Sequence, residues 1–112
     1  MKRTFLTLFL SLTAFIAFAQ KKELRAVDKL VSAASYAESL QQLDGIQSLV
    51  EGSEPKYQTH YQYLLGKTQA GLKAYPEAVA AYQKVLEIES AEGLSKYGTE
   101  VKGLLTNLSV DI

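Results

Sequence analysis

His60 is the single histidine of this chain, and cysteine is absent. Metal centres and acid–base sites need imidazole, thiolate or carboxylate groups repeated at ligand spacing, such as two histidines one helical turn apart. His60 has no second histidine, no cysteine and no close carboxylate pair at that spacing. It therefore reads as a polar residue of a surface or groove. No G-x-S-x-G nucleophile turn, G-x-x-x-x-G-K phosphate loop or G-x-G-x-x-G dinucleotide loop occurs. Glu87 and Glu89, two apart, would face different ways on a helix. Asn107-Leu108-Ser109 fits a glycosylation sequon, but three residues carry little information. The expectation is a chain with no catalytic residues, no cofactor and no metal.

Seven tyrosines remain: Tyr36, Tyr57, Tyr61, Tyr63, Tyr75, Tyr82 and Tyr97. An aromatic body buried between helices with its hydroxyl in water accounts for most of them. Tyr63 differs. If Tyr61 and Leu65 face a core, Tyr63 points elsewhere, one turn before Lys67.

The rest of the composition narrows the partners. Lys plus Arg and Asp plus Glu each total 12, so no global field recruits nucleic acid or an anionic membrane. Without cysteine there is no disulfide, thiol nucleophile or lipidated bacterial N-terminus. The beginning of the chain is a leader: Lys2 and Arg3, a nearly pure apolar run from Phe5 to Phe18, then Ala17-Phe18-Ala19 in the small-x-small pattern that signal peptidase reads. That run is too short for a bilayer, which takes about 20 residues. The leader is expected over 1–19, with cleavage before Gln20. The mature chain would then be periplasmic or extracellular, mildly acidic and without stable membrane insertion.

Beyond Gln20 the apolar residues recur at three-and-four spacing, the mark of helices with one buried face. Five segments follow: Glu23 to Ala33, Tyr36 to Val50, Pro55 to Leu72, Tyr75 to Ile88, and Leu94 to Leu108. Pro55 and Pro76 suit first helical turns. Short links make neighbours antiparallel. The segments also repeat. Ser35-Tyr36-Ala37-Glu38-Ser39 and Ala74-Tyr75-Pro76-Glu77-Ala78 share one form, 39 residues apart from Tyr36 to Tyr75. Self-similarity at such a period indicates stacked helical hairpins.

The stretch Leu65 to Ile88 resembles the tetratricopeptide-repeat (TPR) family. Leu65-Gly66, Ala78 and Tyr82 stand at the family's spacing of Leu-Gly, Ala and aromatic. Gln62, Gln69 and Ser90 depart from that pattern, as do Val27 and Ser39 in a more degenerate first unit. The layout is similar to the N-termini of exported repeat proteins of Bacteroidetes-type bacteria, which are usually longer. The resemblance implies an all-α fold of about five helices, with antiparallel hairpins stacked as a short right-handed solenoid over 20–112. Its parts would be a degenerate repeat (21–54), a clear repeat (55–92) and a final helix (94–109). It also implies that Gly66 and Ala78 are small because two helices cross there, and that first helices line a concave groove. On that basis His60, Tyr63, Lys67 and Ala70, with Lys21, Leu24, Asp28 and Val31, would face a protein or peptide partner. The function implied is a non-enzymatic scaffold or adaptor of the cell envelope. The alternative is a self-assembly module, or the N-terminal part of a longer solenoid, that associates through the last helix as a homo-oligomer. Solenoid ends carry caps, and a cap and an unfinished third repeat are both open readings of Leu94 to Leu108.

Overall fold

The computed structural model describes residues 20–111, with side chains through Leu108. The leader expected over 1–19 lies outside the described residues. Among the latter the fold is all-α: α1 (20–32), α2 (Tyr36–Glu51), α3 (Pro55–Gly71), α4 (Tyr75–Glu92) and α5 (Gly98–Asp111).

Two of the links repeat each other. After α1, Ala34 takes the left-handed conformation at φ 59°, and after α3, Lys73 does so at φ 63°. Each sits in the same hydrogen-bond pattern: Ser35 N–H to Leu30 C=O and Ala34 N–H to Val31 C=O in one, Ala74 to Gln69 and Lys73 to Ala70 in the other. This paired bonding satisfies carbonyls that a helix end would otherwise leave open. The sequence repeat from Tyr36 to Tyr75 is thus also a repeat of backbone geometry. Gly93, at φ 69°, ends α4 in a related way, with Leu94 N–H bonding Glu89 C=O.

The link from α2 to α3 is built differently. Ser53 Oγ donates to Val50 C=O at 2.6 Å, Gln58 Nε2 donates to Ser53 C=O at 2.8 Å, and Pro55 opens α3.

α1 and α2, and α2 and α3, pack antiparallel, as contacts between the start of one and the end of the other show. Gln20 Nε2 on α1 donates to Leu49 C=O on α2 at 2.7 Å. Ser39 Oγ on α2 and Thr68 Oγ1 on α3 share a fully buried hydrogen bond at 2.7 Å. On α3, Gly66 lies against the Tyr82 ring of α4, and Gly71 against the Tyr36 ring of α2. Here close approach, rather than backbone freedom, demands glycine. A Cβ on Gly66 would stand 2.3 Å from a Tyr82 ring carbon, and one on Gly71 2.4 Å from a Tyr36 ring carbon.

Two apolar clusters hold the helices. Leu24 and Val27 of α1, Leu43, Ile46 and Val50 of α2, and Tyr61 and Leu64 of α3 form the first. Ala78, Tyr82 and Val85 of α4 with Val101 and Leu108 of α5 form the second. Leu104 and Leu105 are half-buried against this second cluster, so the apolar stripe of α5 faces inward onto α4. Among the described residues no helix is long and apolar enough to cross a membrane.

Two boundaries differ from the sequence expectation by four residues. α4 runs on to Glu92, and α5 begins at Gly98 instead of Leu94. The left-handed Gly93 turns the chain out of α4. The buried carboxylate of Glu89 then accepts the Tyr97 N–H through Oε2 at 2.8 Å, which places a cap just ahead of the first turn of α5. Leu94 to Tyr97 therefore form a link, and Tyr97 is carried on that link and not along a helical stripe.

Candidate functional site, an aromatic groove with a basic rim

Three side chains that are distant in sequence stack on one side of the molecule. Tyr63 of α3 lies against Tyr97 of the α4–α5 link, with ring centroids 4.5 Å apart and planes 20° from parallel. His60, one turn before Tyr63, faces the same Tyr97 ring at 6.0 Å and 22°. Offset aromatic stacking at these separations is attractive beyond the area it buries. Asp28 of α1 fixes His60 on α3, and the Glu89 cap fixes Tyr97. The stack forms because those two supports face each other.

Polar contacts hold the stack in place. His60 Nε2 is 3.0 Å from both carboxylate oxygens of Asp28 on α1. Tyr63 donates its hydroxyl to Glu100 Oε2 at 2.7 Å, and Lys67 Nζ donates to the Tyr63 oxygen at 3.4 Å. Lys67 also lies 3.9 Å from Glu100 and over the Tyr63 ring. Burial first, and then the hydrogen bond to Glu100 and its charge, push the Tyr63 phenol well above its usual range. Burial, with the charges of Asp28, Glu89 and Glu100, pushes Tyr97 up to about 12. Both phenols are therefore neutral hydrogen-bond donors at ordinary pH.

The stack lines an open groove of about 790 Å³. Lys21 and Arg25 stand on its α1 side, Lys56 and Tyr57 at the start of α3, and Lys96 on the α4–α5 link. Chemically the groove offers aromatic surface, several donors and few free acceptors. His60 pairs with Asp28, and among the described residues no hydroxyl joins the pair. The His–Asp pair thus orients an imidazole without a nucleophile beside it. Among the described residues no three His, Cys, Asp or Glu side chains gather as metal ligands.

The residues that the sequence pointed to are divided by the structure. His60, Tyr63, Asp28 and Lys21 line the groove. Lys67 stands beside it, bonded to Tyr63. Ala70 packs half-buried against the second cluster, further along α3, and Val31 against the first. Leu24 requires a correction. It is 0% exposed and sits in the first cluster, because the α1 stripe of Leu24 and Val27 turns toward α2 and α3. It cannot meet a partner.

Tyr97, Arg25, Lys56 and Lys96 line the groove although none was among the residues expected to face a partner. Tyr97 sits at apolar spacing with Val101 and Leu104, so periodicity assigned it to packing. Only the late start of α5 turns it toward Tyr63. The cations are far apart in sequence, and no local signal joins them. Neither family models, nor curated proteins, nor solved structures give a match to this chain.

Proposed function

We propose that this chain is a tetratricopeptide-type binding protein of the cell envelope. It holds a segment of another protein in the groove between α1, α3 and the α4–α5 link and catalyses no reaction on it. The observation that carries this reading is the Tyr63–Tyr97 stack lining an open groove. Pre-positioned tyrosines give a partner contact area at small entropic expense and recur among the residues that dominate binding energy. The repeated turn geometry at Ala34 and Lys73 supports the repeat-family part of the reading. Lys2, Arg3, the apolar run and Ala17-Phe18-Ala19 support export.

The test is site-specific photocrosslinking in cells that export the protein, with the crosslinker in place of Lys96 at the groove rim or of Leu72. Leu72 is exposed at the far end of α3, roughly 13 Å or more from the His60–Tyr63 turn by helical rise. A discrete adduct is expected from position 96 and not from 72. It should disappear when Tyr63 is changed to alanine while the helical circular-dichroism signal is retained. Equal adducts at both positions, or an adduct indifferent to Tyr63→Ala, would refute the groove as the binding surface.

A further inference from the structure

The charges around the groove are unbalanced, although the whole chain is neutral. Lys21, Arg25, Lys56 and Lys96 line it, and Asp28 is the one carboxylate among the lining residues. Both oxygens of Asp28 are already held by His60. Lys56 has a weak partner in exposed Glu54 at 3.6 Å, and Lys96 lies over the Tyr97 ring. Among the described residues no carboxylate pairs with Lys21 or Arg25. The basic rim continues along the outer side of α1 through Lys22 and Lys29, which with Lys21 and Arg25 border a second, shallower depression. Lys21, Arg25 and Lys29 follow one another at spacings of four residues, and Lys22 stands three before Arg25, which puts these cations on adjoining rows of one helix. On the opposite flank Glu100 is occupied by Tyr63 and Lys67, and buried Glu89 by the Tyr97 N–H.

We infer that the occupant of the groove is an acidic segment of a partner protein. Its carboxylates would lie between the α1 cations and Lys96, and its less polar side chains against Tyr57, Tyr63 and Tyr97. This inference rests on the groove being the binding surface. Charge complementarity selects the sign of the ligand, since a basic or neutral segment would add nothing opposite Lys21 and Arg25, which pair with no carboxylate among the described residues, and would leave Lys56 with only exposed Glu54. Shape selects a protein segment over a lipid surface. The aromatic rings line a concavity, whereas interfacial binding needs an apolar face presented outward. The one large apolar side chain exposed among the described residues is Leu72, on the far end of α3.

A random-peptide display library selected on the full chain provides the test. Enriched peptides should be rich in Asp and Glu, and their affinity should fall as salt rises. Arg25→Glu and Lys96→Glu, on opposite walls, should each weaken binding by about tenfold, and Lys84→Glu on α4 by less than about twofold. Peptides without acidic bias that still depend on Tyr63 and Tyr97 would overturn the acidic assignment and leave the groove reading standing. Peptides indifferent to Tyr63 and Tyr97, or no enrichment at all, would overturn both. Phosphatidylglycerol vesicles are the competing probe against phosphatidylcholine vesicles. Capture by the former that Arg25→Glu abolishes, with no acidic peptide selected, would assign the strip to a membrane surface and overturn the inference.

Discussion

At Gly66 one added methyl group brings two opposing effects to the same carbon. Alanine in a helix interior is favoured over glycine by about 1 kcal/mol. A Cβ at this position, however, would lie 2.3 Å, 2.5 Å and 3.0 Å from three ring carbons of Tyr82, against about 3.5–4.0 Å for relaxed carbon contact. The ring must retreat by roughly 1 Å or the helices must part. Tyr82 is 1% exposed and packed with Ala78, Val85 and Val101, so it has no free volume to enter. Overpacking of this kind costs about 1–3 kcal/mol, and a rigid buried ring belongs at the upper end. Gly66→Ala should therefore destabilise the fold by about 2 kcal/mol, equivalent to a fall in Tm of roughly 10 °C for a domain of this size. The control is Gly45→Ala in α2, where a Cβ would meet nothing within 4 Å. There the helix preference acts alone, and a gain of up to about 1 kcal/mol is expected. Thermal and urea unfolding of the two variants, followed by circular dichroism, provides the comparison. In a third variant carrying both Gly66→Ala and Tyr82→Leu, the combined loss should be smaller than the sum of the single losses. If Gly66→Ala melts at or above the parent temperature, the claim that Tyr82 enforces glycine at this crossing is wrong.

Three further outcomes follow from buried groups. Ser39→Ala leaves the fully buried Thr68 hydroxyl without its partner and should cost about 1–3 kcal/mol, whereas Ser39→Ala with Thr68→Val should recover much of that loss in a double-mutant cycle. Additive losses would contradict a pairwise bond. The phenols of Tyr61 and Tyr82, both buried, are pushed up to about 12 from the ordinary 10.0, chiefly by burial. Their contribution is fully present below pH 10; above it the unfolded chain releases protons that the folded chain keeps, so stability falls as pH rises toward 12. Each rise of about two units amounts to roughly 3 kcal/mol at full deprotonation. Ring resonances of Tyr61 and Tyr82, assigned with Tyr61→Phe and Tyr82→Phe, should show phenolate forming together with helix loss on alkaline titration, and phenolate at either position near pH 10 in a fully helical protein would contradict the burial. Glu89→Ala removes the acceptor for the Tyr97 N–H and should cost about 0.5–2 kcal/mol, with faster amide exchange in the first turn of α5. Glu89→Gln, which keeps an oxygen at that position, should lose less, and equal losses would discount the cap.

Much of the architecture was legible in the order of the residues, because helix periodicity, proline at first turns and short links are local properties. The apolar stripes marked five helices, and the matching segments around Tyr36 and Tyr75 marked turns that prove equal in backbone geometry. Leu65-Gly66, Ala78 and Tyr82 pointed to a close crossing, and Gly66 does lie on the Tyr82 ring. His60, Tyr63, Asp28 and Lys21 were singled out on helices that the fold brings to one groove. Other facts needed the tertiary structure. Leu24 and Asp28 lie one turn apart on the same helix, yet one is sealed in the core and the other bonds His60; the rotation of α1 against α2 and α3 decides between them. Tyr97 reaches Tyr63 only because Glu89 and the left-handed Gly93 delay the start of α5. The basic rim joins residues from α1, α3 and the α4–α5 link, separations across which no periodicity carries information. The sequence by itself determined which segments are helical and which faces are apolar, since those depend on neighbours within a few turns. The tertiary structure alone decided which polar side chains share a groove, since that depends on how the helices rotate and where their ends are capped.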